Sequence, residues 1–156
     1  YRLERDAPAT APAEDWPATA RLTITRAGPA DVEDIVNVQA AAFHDPADEI
    51  RDVVLAGLAG PEERFYLGRL GDSPVGSLKV YTPAGRAGVY AFGIAPQYRR
   101  HGYGSQLLLR VMAELGAEGH PHIWLEVEQY NEPAYALYRS LGFTLTTAYG
   151  YFNLPI

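Results

Sequence analysis

Arg99-Arg100-His101-Gly102-Tyr103-Gly104 joins an apolar, strand-like segment (residues 88–95) to the start of an amphipathic helix. The first turn of a helix has unpaired backbone N–H groups and a partial positive charge. Glycine lacks the Cβ that would keep an anion away from the backbone, and the two arginines add positive charge. This stretch, which we call the glycine loop, predicts a phosphate or diphosphate site, although a tight turn without a ligand explains the two glycines equally well.

Two other phosphate-binding motifs and one hydrolase motif do not match this sequence. The P-loop needs Gly-Lys-Ser/Thr, and the only lysine of the chain is Lys79. The dinucleotide fingerprint needs a small residue three positions after Gly104, where Leu107 stands. The chain also lacks a Gly-x-Ser-x-Gly elbow, which disfavours a serine hydrolase.

Strand and helix patterns alternate on both sides of the glycine loop. Upstream, the pattern predicts a strand at 22–25, helices that begin near Pro29 and after Pro46, and a hairpin over 64–81. Downstream, it predicts a strand at 122–127, a helix from Asn131 and strands at 143–147 and 149–154. We therefore expect an α/β domain with a mixed sheet of about six or seven strands and four helices.

Composition excludes several classes of protein. The 156 residues, 47% of them hydrophobic, suit one domain with a real core. The absence of cysteine excludes disulfides, a cysteine nucleophile and cysteine-ligated metals, while the net charge of −6 argues against nucleic-acid binding. Because no apolar run is long enough to cross a bilayer and no signal-peptide pattern is present, we expect a cytoplasmic protein without a membrane partner.

Residues 1–20 differ from the rest of the chain. They are rich in alanine and proline and have no apolar period, so we predict a flexible tail or linker before a domain at 21–156. An alternative is that Tyr1-Arg2-Leu3-Glu4, which resembles Tyr151-Phe152-Asn153-Leu154, is the last strand of a preceding, similar domain. Both arrangements, a tandem N-terminal domain and association of the chain into a homodimer, are compatible with the sequence.

Two blocks of sequence together resemble a known family. The first is Arg99-x-x-Gly102-x-Gly104; the second runs from Leu125-Glu126-Val127 through Asn131 to Ala136-Leu-Tyr-Arg-Ser-Leu-Gly-Phe143. In this order they resemble the GNAT superfamily of N-acetyltransferases, and the Trp-Leu-Glu-Val around Glu126 resembles enzymes that acetylate ribosomal-protein N-termini. The resemblance implies acetyl-CoA-dependent transfer to a primary amine of a small molecule or peptide, in a cleft where the two central strands part.

The resemblance also implies which residues hold acetyl-CoA. The backbone from Arg99 to Ser105 would bind its diphosphate, and the strand end at Phe92 and Ile94 would pair with its pantetheine arm. Asn131 would contact the same arm. The cofactor-binding residues implied are thus Phe92, Ile94, Arg99, Arg100, His101, Gly102, Tyr103, Gly104, Ser105 and Asn131.

For catalysis, the resemblance places Tyr138 near the thiol of the cofactor as the proton donor. The strand at 88–95 has no carboxylate, unlike that of some family members, so Glu126 is the candidate base and Glu128 the reserve. The Ile94 N–H is the candidate donor to the oxyanion. Glu126 as a solvated strand residue and Tyr138 as a packed core tyrosine are the structural alternatives.

Two further possibilities complete the set of alternatives. Because the central strand has no carboxylate, an acyl-CoA-binding regulatory module without turnover is the alternative to an enzyme. His120-x-His122 has no evident third ligand, so we expect no metal site.

Overall fold

A single mixed sheet carries the fold in the computed structural model, which describes residues 1–6, 21–120, 122–128 and 130–147. The strands of this described part are β1 (Arg2–Asp6), β2 (Thr23–Arg26), β3 (Glu63–Leu70), β4 (Ser73–Tyr81), β5 (Ala87–Ile94), β6 (His122–Glu126) and β7 (Thr144–Thr147). The helices are α1 (Val32–Phe43), α2 (Ala47–Ala59), α3 (Tyr103–Ala117) and α4 (Glu132–Ser140). The predicted α/β class is confirmed, while the strand expected at 149–154 lies outside the described residues.

The strand order is β2-β3-β4-β5-β6-β1-β7. Only the β5–β6 pair is parallel among the described strands; the other neighbours run antiparallel. Helix α3 connects β5 to β6, as a parallel pair requires. This connection places the N-terminus of α3 next to the end of β5, where the glycine loop lies.

Apolar residues on opposite faces of the sheet form two separate cores. Phe65 and Leu67 pack with α1 and α2, whereas Tyr66 between them belongs to the core that includes α3. The alternation along β3 follows from the two-residue period of a strand. The sheet is therefore buried between helical layers, and a cleft can open only where two strands separate.

The cleft opens because β5 and β6 pair over only three residues. Their register runs from Ala87↔Ile123 to Val89↔Leu125, and β5 then continues to Ile94 without this partner. A register shift in the β4–β5 pair falls in the same region, and Ala91 there has a left-handed φ of 48°. A bulge of this kind bends a strand away from its neighbour. The predicted splay of the central strands is thus confirmed.

The N-terminal strand corrects one expectation. Residues 2–6 were expected in a flexible tail or, as the alternative, in the last strand of a preceding domain; they form β1, an interior strand that pairs with β6 and β7, and whether a domain precedes them stays a prediction. Leu3 is 0% exposed. One apolar residue among five gives no detectable period, and the partners of β1 lie more than a hundred residues away. The predicted linker at 7–20 lies outside the described residues, so the boundary at residue 21 stays a prediction.

Candidate active site

Two adjoining cavities fill the cleft between β5 and β6. The larger, of about 710 Å³, is lined by the glycine loop and is called the loop cavity. The smaller, of about 500 Å³, is lined by Asp45, Glu126 and Glu128 and is called the carboxylate cavity. Their shared walls are formed by Ala42, Phe43, Phe92, Asn131 and Tyr138. The arrangement can accommodate two different reactants that meet at these walls.

The start of α3 gives the loop cavity its anion-binding character. Gly102 is the N-cap with a φ of 79°, a left-handed conformation that glycine adopts without strain. The first backbone hydrogen bond of α3 runs from the Gln106 N–H to the Gly102 carbonyl. Within the described part of the chain, the N–H groups of residues 103–105 therefore have no helical acceptor. All three residues line the loop cavity.

The end of β5 presents backbone groups to the same cavity. The Ala95 N–H donates to the Val75 carbonyl at 2.9 Å, and the register pairs Gly76 with Ile94. Hydrogen-bonded and non-bonded pairs alternate in an antiparallel ladder, so Gly76↔Ile94 is a non-bonded pair. The N–H and C=O of Ile94 consequently point away from β4 and toward the cleft. Consistent with this direction, the Ile94 carbonyl accepts a hydrogen bond from Arg99 Nε at 3.1 Å.

The side chain of Arg99 connects two walls of the loop cavity. Besides the Ile94 carbonyl, its guanidinium donates to the Ala42 carbonyl in α1, at 3.1 Å. We expected Arg99 to add positive charge for a phosphate, whereas its guanidinium is engaged with two protein carbonyls. Arg100 is exposed, has a φ of 65° and lines the cavity.

His101 is the one predicted cofactor residue that does not line the loop cavity. Its Nδ1 lies 2.7 Å from the Arg99 carbonyl oxygen, and its ring stacks on Tyr103 with 5.8 Å between centroids. Tyr103 is itself 8% exposed and packs into the core. These two side chains brace the loop, so its face toward the cavity is formed largely by backbone.

Asn131 and Tyr138 lie at the junction of the two cavities, on α4. Asn131 Oδ1 accepts the Ala134 N–H at 3.3 Å, which caps the helix. The Tyr138 ring lies 6.1 Å from the rings of both Phe92 and Phe143. Tyr138 is 6% exposed, and this burial raises the pKa of its hydroxyl to about 12.

The carboxylate cavity is formed by side chains from separate elements. Glu126 accepts a hydrogen bond from Arg2 Nη2 on β1, with 3.0 Å between Nη2 and Oε1. Tyr90 on β5 lines the same cavity, and its hydroxyl accepts the Trp124 indole N–H at 2.9 Å. The sequence predicted Glu126 and its reserve Glu128 for this site. It missed Asp45 and Arg2, for which no local signal exists.

The remaining sequence signals give no further site in the described residues. These residues contain no group of three or more histidine, cysteine or acidic side chains that could hold a metal ion. His122 instead lies 2.8 Å from Asp6 across the β1–β6 pair. In the same part of the chain, no helix has the length and apolar character needed to cross a membrane.

The resemblance to acetyltransferases implied a sheet whose two central strands separate and a glycine loop at the start of a helix. The structure has both features, in β5 and β6 and at the start of α3. A comparison with family models agrees, because the acetyltransferase (GNAT) family model matches residues 31–143. The chain belongs to this family, whose members use acetyl-CoA.

Individual relatives act on different amines according to their names. The chain is 41% identical over 61 residues to the [ribosomal protein bS18]-alanine N-acetyltransferase of Escherichia coli K12, a match that covers 39% of this chain and 41% of the relative. It is 31% identical over 141 residues to a mycothiol acetyltransferase of a Nocardioides species, covering 76% of this chain and 48% of that protein. The chain thus spans less than half the length of these curated relatives.

Solved structures show the same fold. The crystal structure of the Escherichia coli ribosomal-protein-S18-alanine N-acetyltransferase matches with a TM-score of 0.74 at 25% identity, over 81% of this chain and 79% of that one. A Thermoplasma acidophilum PaiA N-acetyltransferase in complex with coenzyme A matches in fold with a TM-score of 0.74 at 16% identity, over 83% and 93% of the two chains.

Proposed function

We propose that this protein transfers the acetyl group of acetyl-CoA to a primary amine. The observation that carries the proposal, beside family membership, is that the loop cavity and the carboxylate cavity meet at Tyr138. In the reaction the C–S bond of the thioester breaks and a C–N bond forms. The amine loses a proton and the departing thiolate gains one, so the products are an N-acetylated amine and free coenzyme A.

The loop cavity is the place where we expect acetyl-CoA to bind. A diphosphate would lie against the N–H groups of residues 103–105 at the N-terminus of α3, where the helix dipole is favourable. The backbone of Ile94 and Phe92 would hold the pantetheine arm, because the edge of β5 that faces away from β4 is not paired with β6 at this end. The Ile94 N–H is the donor we assign to the acetyl carbonyl oxygen as negative charge develops on it.

Tyr138 and Glu126 are the groups we assign to the proton transfers. With its pKa raised to about 12, the Tyr138 hydroxyl is protonated at neutral pH and can donate to the departing thiolate. Glu126 lines the carboxylate cavity as a partly exposed carboxylate and would take the proton of the amine, directly or through water. Glu128 stays the reserve for this role.

The acceptor we propose is a cationic primary amine, on a peptide N-terminus or a small molecule. Asp45, Glu126 and Glu128 place three acidic side chains around one cavity, which attracts an ammonium group before it is deprotonated. Relatives named for a protein alanine N-terminus and for mycothiol are consistent with both kinds of acceptor. The cytoplasmic location and the tandem or dimeric arrangement stay predictions.

An acyl-CoA-binding module without turnover is the second candidate function. It is favoured by one observation: β5, which borders the cleft, carries no carboxylate along Ala87–Ile94. Such a module would bind acetyl-CoA in the loop cavity and leave the thioester intact.

The release of free thiol from acetyl-CoA separates the two functions. We would measure it with a panel of peptide N-termini, polyamines, aminoglycosides and amino acids, with an amine-free reaction as the control. We expect at least one amine to accelerate thiol release and to gain one acetyl group by mass spectrometry. Binding of acetyl-CoA without amine-dependent thiol release for any acceptor class would favour the binding module.

A further inference from the structure

We infer that β1 is a working part of the active site and that Arg2 is a positioning residue for Glu126. This inference rests on the proposed function, because it assigns Arg2 a role in the acetyl transfer through the candidate base. It also extends the site beyond residues 31–143, the part of the chain that matches the family model. Neither the glycine loop nor the second block of the family resemblance, residues 125–143, predicts this role for Arg2.

The register of β1 fixes where Arg2 lies. Leu3 pairs with Leu125, and the two side chains are 0% and 1% exposed in the same core. A slip by one residue would expose Leu3 and bury its charged neighbours, so the buried pair fixes the register. Arg2 is consequently held directly opposite Glu126, on the other face of the sheet.

On that face the Arg2 side chain contacts both Glu126 and Trp124. Its Nη2 donates to Glu126 Oε1 at 3.0 Å, and its guanidinium carbon lies 5.7 Å from the centre of the Trp124 ring. A planar guanidinium stacked on an aromatic ring loses little further freedom when it binds a carboxylate. Trp124 also donates to the Tyr90 hydroxyl, which lines the carboxylate cavity. The contact with Trp124 therefore orders the Arg2 guanidinium, and the hydrogen bond from Arg2 fixes the orientation of the Glu126 carboxylate.

The charges around Glu126 give this contact a chemical consequence. Four other titratable side chains line the cavity with Glu126: Asp45 after α1, Tyr90 on β5, Glu128 after β6 and Tyr138 on α4. Strand β1 adds a cation, Arg2, which pairs with Glu126. Asp45 and Glu128 oppose a negative charge on Glu126, whereas Arg2 favours it. Without Arg2, Glu126 would keep a proton to higher pH, so at a given pH a smaller fraction would be in the carboxylate form that can take the proton of the amine.

Tyr1, the residue immediately before β1, also contacts the helix that carries the proton donor. The Val127 N–H donates to the Tyr1 carbonyl at 2.9 Å, which extends the β1–β6 ladder beyond Glu126. The rings of Tyr1 and Tyr135 on α4 are edge-to-face, with 5.9 Å between centroids. The strand thus joins the candidate base on β6 to the helix of Tyr138.

The test compares the pH dependence of kcat/KM for wild type, Arg2→Gln, Arg2→Lys and Arg86→Ala. Arg2→Gln keeps a hydrogen-bond donor and removes the charge, and we expect the midpoint of the rise with pH to move up by about 1 unit. Arg2→Lys should restore the wild-type midpoint. Arg86→Ala is the matched control, because Arg86 lies 5.1 Å from the same Trp124 ring and pairs with Glu4. Its midpoint should not move.

Two results would overturn the inference. The first is an Arg2→Gln profile that superimposes on that of wild type. The second is an equal shift in Arg86→Ala, which would assign the effect to Trp124. In a double-mutant cycle, Arg2→Gln should cause less than a twofold loss of kcat/KM in the Glu126→Gln background, and a full additional loss there contradicts action through Glu126.

A readout without turnover separates this inference from the proposed function. The chemical shift of the Glu126 carboxyl carbon is followed against pH by NMR in wild type and in Arg2→Gln. The signal is assigned by its absence from the spectrum of Glu126→Gln. A higher titration midpoint in Arg2→Gln supports the pairing even if no amine is acetylated, in which case the proposed function alone fails. An unchanged midpoint in an active enzyme overturns the inference alone. If Arg2→Gln is unfolded, the wild-type midpoint is measured at low and at 1 M salt: an upward move with salt supports the pairing, and no move overturns it.

Discussion

The two cavities of the cleft are built in different ways. The loop cavity is lined largely by residues 98–100 and 102–105 and by the end of β5, and it includes the main-chain N–H groups of residues 103–105, which have no helical acceptor. The carboxylate cavity draws its polar groups from side chains at the end of α1, on β5, on β6 and after it. A cavity built from main chain binds what many related proteins bind, while a cavity built from side chains can differ with each acceptor.

This difference leads to separable effects of mutation. Substitutions in the loop cavity should change the KM for acetyl-CoA and leave the acceptor preference intact. Substitutions in the carboxylate cavity should change the rate or the acceptor preference and leave cofactor binding intact. Tyr138, which lines both, should affect the chemical step itself.

The largest effect is expected for Tyr138→Phe. We expect kcat to fall about 100- to 1,000-fold, since a positioned proton donor contributes roughly this much, while the Kd for coenzyme A changes by less than about threefold. Because the pKa of Tyr138 is raised to about 12, kcat of wild type should not decline through loss of this proton below about pH 11. An unchanged kcat at saturating substrate contradicts the assignment.

Glu126→Gln tests the carboxylate cavity, with Glu128→Gln as its matched partner. We expect Glu126→Gln to lower kcat/KM about 10- to 100-fold at neutral pH and to abolish its rise with pH, because the amide cannot take a proton. Glu128→Gln should keep the rise. The pH–rate profiles of the two variants decide between the carboxylates. If the rise of kcat/KM with pH is lost only in Glu128→Gln, Glu128 is the base. If the rise is unchanged in both variants, water is the base.

Gly102→Ala tests the loop cavity, with Gly85→Ala as a control of equal backbone strain. Gly102 and Gly85 have φ values of 79° and 78°, so an alanine should cost both variants about 1 kcal/mol of unfolding free energy. Only Gly102→Ala should raise the KM for acetyl-CoA, about tenfold, because its backbone borders the diphosphate site. An equal KM change in both variants would mean that strain rather than position is responsible.

The smallest effects separate the two arginines of the loop. We expect Arg99→Ala to weaken coenzyme A binding about three- to tenfold at any salt concentration, because it loses the bonds that join Ile94 to Ala42. Arg100→Ala should weaken binding about two- to fivefold at low salt and little at 0.5 M salt, as expected for an exposed charge near a phosphate. Equal salt dependence in titrations of both variants contradicts this division.

Local pattern was sufficient to predict the frame, because the strand before the glycine loop and the amphipathic helix after it depend on residues close in sequence. Asn131 and Tyr138 were predicted for the site from the resemblance to acetyltransferases, not from local pattern. The structure brings Asn131 and Tyr138 to the same cleft as the loop. The parallel β5–β6 pair follows from the helix between its strands.

Features that depend on distant contacts could not be predicted in the same way. Strand β1 has one apolar residue and gains its place from pairing with β6 and β7, far along the chain. Arg99 turns to the Ala42 carbonyl because α1 ends there, and nothing in the glycine loop encodes that position. The same holds for the Arg2–Glu126 pair, which only the register of β1 creates.

Calorimetric titration with coenzyme A, repeated with pantetheine, tests most directly whether main-chain amides at the start of α3 hold a diphosphate. We predict a micromolar Kd for coenzyme A and binding about 100-fold weaker for pantetheine, which has the same arm but lacks the diphosphate and the 3′-phosphoadenosine attached to it. No heat of binding at millimolar coenzyme A, or equal affinity for both ligands, would contradict the assignment of the glycine loop.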